Sequence, residues 1–333
     1  MKDLLNYLFN HNSLDKAQAK QILTEISEGK HSEAQVAAFI SVFLMRNISV
    51  EELSGFREAL LELRIPLDFG DIDAIDLCGT GGDGKNTFNI STLTSLVVAG
   101  AGYKVTKHGN YGVSSICGSS NVLESLGYKF SNDKGILEEQ LDKHNICFLH
   151  APLFHPAMKF VGPIRRSLGI KTFFNMLGPL VNPARPNHQM TGVFNLHLQR
   201  LYQYLFEQTD MSYKIVYGLS GFDEISLTDE AQVISREGVE IVSANYFNTP
   251  ALALEEISGG ETIQDACDIF IAILKNDCTE AHRNVVLANA AMAIHTFDIT
   301  KDISDCWAEA RQSLTSGSAF ESFKNIISIS EKA

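Results

Sequence analysis

No apolar run in this chain of 333 residues is long enough to span a bilayer, and no segment is of low complexity. With 45% apolar and 20% charged residues, the expectation is a soluble globular protein large enough for two lobes. The opening residues Met1-Lys2-Asp3-Leu4-Leu5-Asn6-Tyr7-Leu8 lack the apolar core and small-residue cleavage site of a secretory signal, so the expected compartment is the cytoplasm. None of the six cysteines stands in C-x-x-C spacing, which argues against a zinc site and against a disulfide framework. Basic side chains are also in short supply, 27 against 40 acidic ones. The resulting net charge of −13 disfavours nucleic acid and acidic membrane faces as partners. A phosphorylated ligand would need a local pocket of backbone N–H groups, Mg²⁺ and a few lysines or arginines.

What is present is glycine in one place. Cys78-Gly79-Thr80-Gly81-Gly82-Asp83-Gly84-Lys85-Asn86-Thr87-Phe88-Asn89-Ile90-Ser91-Thr92 follows the apolar run Ala74-Ile75-Asp76-Leu77 and leads into Leu93 to Ala101. The pattern reads as strand, glycine loop, buried helix. Glycine lets the backbone turn tightly and approach a ligand, and the helix start offers unpaired N–H groups and a favourable dipole, with hydroxyls from Ser91 and Thr92. This is a cradle for phosphate or pyrophosphate, although neither the Walker pattern nor the dinucleotide fingerprint is matched. A tight strand-to-helix turn without a ligand is the plainer alternative.

Two lobes are marked by a change of period. Ser13 before a helical pattern through Ile22 and Ile26, Ser32 with Gln35, and Ser49 with Glu52 each read as a helix start. Val36 to Leu44 is apolar nearly all round and belongs in the middle of a bundle or in a subunit contact. Residues 1–68 are therefore expected to form a helical domain, completed by a loop-rich, arginine-bearing segment near 163–186. Residues 72–333 are expected to form the larger domain, with strands at Ala74 to Leu77, Tyr103 to Lys107, Ile146 to Leu149, Met190 to Val193, Lys214 to Tyr217, Gln232 to Ser235 and Val239 to Val242, and helices from Ile263 onward. The fold class is α/β, a small all-helical N-terminal domain plus a larger domain with a central mixed sheet flanked by helices. After the second strand, His108 to Asn121 reads as another ligand loop, with Lys107 at its root.

Gly79-Thr80-Gly81-Gly82-Asp83 with Thr87-Phe88-Asn89-Ile90-Ser91-Thr92, Lys107-His108-Gly109-Asn110 with Ser114-Ser115, Arg165-Arg166-Ser167-Leu168-Gly169 with Phe174-Asn175-Met176-Leu177-Gly178-Pro179-Leu180-Val181-Asn182-Pro183, and Gly221-Phe222-Asp223-Glu224 come in that order. Together they resemble the anthranilate phosphoribosyltransferases, over almost the whole chain. The resemblance implies transfer of the phosphoribosyl group from phosphoribosyl pyrophosphate to anthranilate, a step of tryptophan biosynthesis, by a homodimer that uses Mg²⁺, two ions per site. Association with an anthranilate synthase is a further implied partner.

By the same resemblance, phosphoribosyl pyrophosphate is held by Gly79, Gly82, Asp83, Thr87, Asn89, Ile90, Ser91 and Thr92, by Lys107, His108, Gly109, Asn110, Tyr111, Gly112, Val113, Ser114 and Ser115, and by Ser119. Gly79, Asn110 and Arg165 receive anthranilate; Ser91, Asp223 and Glu224 meet the metal. Asp83 and Lys107 support an electrostatic and proximity mechanism without a covalent intermediate. One departure is Tyr111, where many relatives carry arginine. Two other readings remain open at this stage, a pyrimidine nucleoside phosphorylase and a non-catalytic relative that binds nucleic acid.

Overall fold

The computed structural model describes residues 1–112 and 118–333; Val113, Ser114 and Ser115, assigned above to the ligand loop, lie outside the described residues, as does Cys117. The chain divides into two compact units, Met1–Leu67 with Ala151–Arg185, and Asp68–His150 with Pro186–Ala333.

The first unit is helical, with helices at Lys2–Phe9, Lys16–Ser27, Glu33–Met45 and Val50–Leu63. Reciprocal capping boxes open the third and fourth, Ser32 with Gln35 and Ser49 with Glu52. The second helix is capped by Asp15 with Gln18 rather than by Ser13, because Asp15 is the residue with a glutamine three positions on. Lys2–Phe9 has no side-chain cap, and its start carries no capping motif that a reader of the sequence could use. Phe39, Phe43 and Phe56 pack edge-on with ring centroids 5.2 to 6.0 Å apart, and Phe173 stacks on Phe56 at 4.7 Å. The segment containing Phe173 thus shares the core of the bundle. It begins at Ala151 rather than near 163, and Met158–Leu168 is a helix that contains Pro163. Proline removes one helical donor there, but burial of Val161 and Ile164 on one face keeps the helix intact.

The second unit carries a sheet of seven strands: β1 (Ala74–Gly79), β2 (Lys104–Gly109), β3 (Ile146–His150), β4 (His188–Gly192), β5 (Ser212–Gly218), β6 (Ala231–Ser235) and β7 (Gly238–Val242). The order is β3-β2-β1-β4-β5-β6-β7; the first five are mutually parallel, and β6 and β7 are antiparallel additions. Parallel strands buried on both faces call for apolar runs, as in Ile146-Cys147-Phe148-Leu149 of β3, while β1 admits one buried acid, Asp76. Helix Leu196–Phe206 packs on β5 and β6, and helix Glu280–Phe297 on β1, β4 and β5. The chain reverses its direction of travel across the sheet between β1 and β4, and at such a switch point the carboxyl ends of the strands leave a crevice. No helix among the described residues is long and apolar enough to cross a membrane.

Candidate functional site

The switch point is built around two glycines in register. Gly79 ends β1, Gly192 ends β4, and they are paired neighbours. Between them sits Asp223, on the turn that follows β5. A Cβ on Gly79 would lie 2.4 Å from Asp223 Oδ2, and one on Gly192 would lie 1.4 Å from the Asp223 carbonyl oxygen. A side chain at 79 would have to displace the Asp223 carboxylate, and one at 192 would collide with main chain. Beyond β1 the glycine loop turns through left-handed conformations at Gly81, Gly82 and Gly84, with φ of 60°, 80° and 76°. The turn aims the Gly81 N–H at Asp223 Oδ2, 2.8 Å away.

Glu224 is held in the same manner: the Ser91 N–H, in the first turn of helix Ile90–Gly100, donates to Glu224 Oε1 at 3.0 Å. Lys107 Nζ, on buried β2, donates to the Leu77 carbonyl and to Ser91 Oγ. The structure therefore brings Gly79, Asp83, Ser91, Lys107, Asp223 and Glu224 together in one chain of contacts. Burial, and then the neighbouring Asp83, push the Asp223 carboxyl up to about 7. Glu224 is raised by desolvation and then by Asp223 and Asp83; Asp83 is raised by its own desolvation. Burial pulls Lys107 down, while nearby acids, Asp76, Glu224 and Asp223 among them, pull it back up. Carboxylates so placed repel one another, and one ammonium does not neutralise the group. Among the described residues, no three His, Cys, Asp or Glu side chains form a metal cage of their own. The donor set suits a hard cation that takes its remaining ligands from phosphate and water.

Of the other assigned residues, Thr87 bridges to Ser258, Asn89 stands at the N-cap position without a side-chain capping bond, and Ile90 is fully buried, its N–H donating to the Phe88 carbonyl. Thr92 is buried, and its hydroxyl has no partner among the described residues. The His108 N–H donates to Asp76 Oδ1, which fixes the end of β2 against β1. Past Gly109, the Asn110 side chain accepts from the Tyr111 N–H and its carbonyl accepts from Ser119 Oγ, while the Gly112 N–H donates to Asn121. Tyr111 takes no part in an ion pair: its hydroxyl donates to Glu124 Oε1 at 2.8 Å and its ring sits edge-on to His150.

In the helical unit, Arg165 donates to Asn175 Oδ1 and lies over the Phe174 ring. Asn175 also accepts from the Thr172 N–H, so this turn fixes the guanidinium. Burial lowers the Arg165 pKa, and among the described residues no carboxylate pairs with it. Arg166 is exposed.

Three supports escape a reading of the sequence. Gly192 stands alone at a strand end, without a motif. Asn289, in the alanine-rich helix Glu280–Phe297, accepts from the Ile225 N–H and donates to the Ile225 carbonyl, which fixes the turn bearing Asp223 and Glu224. Asn86 and Thr87 are sewn to residues 258–260 through the Gly259 N–H and the Gly260 carbonyl.

The raised Asp223 has a consequence for stability. With a folded value of about 7 against roughly 3.9 in the unfolded chain, the native state keeps a proton between these limits that the unfolded state has lost. Stability of the metal-free protein therefore falls as pH rises from about 4 to about 7. Asp223→Asn keeps an acceptor for Gly81 and abolishes this titration. Urea unfolding across that range is expected to show a flatter pH dependence and a more stable protein at neutral pH for the variant. An unchanged slope would remove Asp223 from the account.

Comparison with known proteins follows the same division. Residues 71–320 match the family model described as glycosyl transferase family, a/b domain, and residues 2–63 match that described as glycosyl transferase family, helical bundle domain. The chain is 54% identical, over 99% of its length and 100% of the relative's, to the anthranilate phosphoribosyltransferase of Christiangramia forsetii. It is 53% identical to that of Flavobacterium psychrophilum, over 99% of this chain and 100% of the other. Among solved structures it resembles anthranilate phosphoribosyltransferase from Thermus thermophilus, with a TM-score of 0.91, 28% identity and coverage of 98% of this chain and 99% of that one. The Saccharomyces cerevisiae enzyme, in complex with phosphoribosyl pyrophosphate and Mg, has the same fold, with a TM-score of 0.92, 24% identity and coverage of 99% and 97%.

Proposed function

This chain belongs to the anthranilate phosphoribosyltransferase family, and on that premise we propose that it transfers the 5-phosphoribosyl group of phosphoribosyl pyrophosphate to the amine of anthranilate, releasing pyrophosphate, in tryptophan biosynthesis. The observation that carries the reading is the pairing of Asp223 and Glu224 with the N–H groups of Gly81 and Ser91, beside the buried ammonium of Lys107.

Breaking the bond between C1 of the ribose and pyrophosphate leaves positive charge on the sugar and negative charge on the leaving group. Stabilising that negative charge is the main catalytic task. Lys107 contributes a cation at the root of the crevice, and the loop Gly79 to Asn89 with the start of helix Ile90–Gly100 contributes amide donors and a favourable dipole. Asp223 and Glu224, with the Ser91 hydroxyl, would hold Mg²⁺, which fits their mutual repulsion; two ions per site is the proposed number. Bound there, Mg²⁺ would neutralise pyrophosphate charge. Asp83, Thr87, Asn89, Thr92 and the residues from His108 to Ser115, with Ser119, are proposed to line the rest of the phosphoribosyl site.

Anthranilate needs a partner for its carboxylate and a fixed approach for its amine. Arg165, held by Asn175 and without an ion pair among the described residues, is proposed to take the carboxylate, with Asn110 and Gly79 positioning the ring. Positioning then carries much of the rate, since an arylamine becomes acidic on bonding to carbon and gives its proton to solvent without a strong base. A homodimer in the cytoplasm, with anthranilate synthase as an associating partner, is the corresponding proposal for assembly.

Arg165→Ala tests the acceptor assignment. Loss of a charge-assisted contact of about 1.5–3 kcal/mol is expected to raise KM for anthranilate by roughly 10- to 100-fold. KM for phosphoribosyl pyrophosphate is expected to stay within a few-fold. An unchanged anthranilate KM would remove Arg165 from the acceptor site.

A further inference from the structure

Helix Glu280–Phe297 has a second face, turned away from the Asp223 turn. Against it, in the same unit, lies a cavity of about 380 Å³ that also takes in residues 246–250 and part of helix Ile303–Thr315. That volume is within the usual range for a small-molecule site. Its floor is apolar and aromatic: Phe247 and Leu287 are buried, and the Phe247 and Trp307 rings lie 5.8 Å apart at 32°.

Asn284 lines this cavity, is only 7% exposed, and makes no side-chain hydrogen bond among the described residues. Its helix neighbour Asn289 satisfies its amide at both ends. The Asn284 amide is not one of the fully buried groups left without a partner, so it stays within reach of water and of a ligand that enters the cavity. Two guanidinium groups complete the wall. Arg283 is fixed by Asn276 Oδ1 and the Cys278 carbonyl, and Arg311 is exposed with no ion pair among the described residues. On a protein of net charge −13, this is a local excess of positive charge, reduced by Glu280 alone among the lining residues. An aromatic floor selects a flat apolar body, a guanidinium selects a planar carboxylate, and Glu280 disfavours a multiply charged phosphate.

We propose that this cavity is a second ligand site, separate from the crevice at the β1–β4 switch point, and that it takes a small aromatic monocarboxylate, with the ring against Phe247 and Trp307 and the carboxylate on Arg311 and Asn284.

Trp307 is the only tryptophan of the chain, so its emission reports on this cavity directly. Benzoate titrated into the full-length protein is expected to change that emission saturably. Arg311→Ala and Asn284→Leu are expected to weaken the response by about tenfold or more, and Arg165→Ala to leave it unchanged. Benzamide, which lacks the charge, and inorganic phosphate, which lacks the ring, are expected to give no saturable change. No response to benzoate in folded protein overturns the proposal, as does an equal response to benzamide or phosphate, or an undiminished one in Arg311→Ala. Arg311 is exposed, so that variant keeps the test open even where Asn284→Leu fails to fold by circular dichroism.

Discussion

Gly192→Ala is expected to lower turnover by about 100-fold or more, although residue 192 presents no functional group at all. The added Cβ would stand 1.4 Å from the Asp223 carbonyl oxygen. A clash with backbone cannot be relieved by a side-chain rotation, so either β4 or the Asp223–Glu224 turn must move. The turn is tied to Gly81, Ser91 and Asn289, and a shift of about 1 Å in groups that position charge is enough for a loss of that size. Overpacking of this kind also costs about 1–3 kcal/mol of stability. Gly79→Ala offers a contrast, since its Cβ would meet the Asp223 carboxylate, 2.4 Å away, rather than the main chain. Its effect should fall more on activity and less on the urea midpoint. Wild-type turnover in Gly192→Ala would show that the register of β1 and β4 does not set the site.

Lys107→Ala carries the second large expectation. The ammonium is buried, donates to Ser91 Oγ and the Leu77 carbonyl, and stands beside the carboxylates proposed to hold the metal. Removing one preorganised electrostatic contact of this type lowers kcat by about 10²–10³-fold. Because Asp223 and Glu224 would lose their compensating charge, the variant should also bind Mg²⁺ with altered affinity, readable by calorimetry with pyrophosphate present. A merely structural lysine would change the unfolding midpoint while leaving kcat of the folded fraction intact. Turnover within a few-fold of wild type would sink the electrostatic account.

The loops could be read from the residues because their chemistry is local. Gly79 to Thr92 announces itself by glycines between an apolar strand and an apolar helix, and Ser32 and Ser49 announce their helices through a partner three residues on. Asp223 and Glu224 could be paired with a metal only through the resemblance, since two adjacent acids on a turn are ordinarily solvated. Gly192 and Asn289 were beyond reach for another reason: each acts across a tertiary contact, and nothing in the neighbouring sequence records what lies opposite. Ser13 misled because a serine before a helical period is a common cap, yet Asp15 had the better geometry and the glutamine. Pro163 misled in the other sense, by suggesting a loop where burial of one helix face outweighed a lost donor. For Tyr111, the structure supplies what the sequence lacked, a hydroxyl on Glu124 and a ring against His150.

Anthranilate itself is fluorescent. The most direct measurement follows anthranilate emission on mixing the purified full-length protein with anthranilate, phosphoribosyl pyrophosphate and Mg²⁺. A steady, enzyme-dependent fall is expected, one that stops when the metal is chelated and yields pyrophosphate in step with the anthranilate consumed. A folded protein that leaves the emission unchanged, with both substrates and metal present, would contradict it.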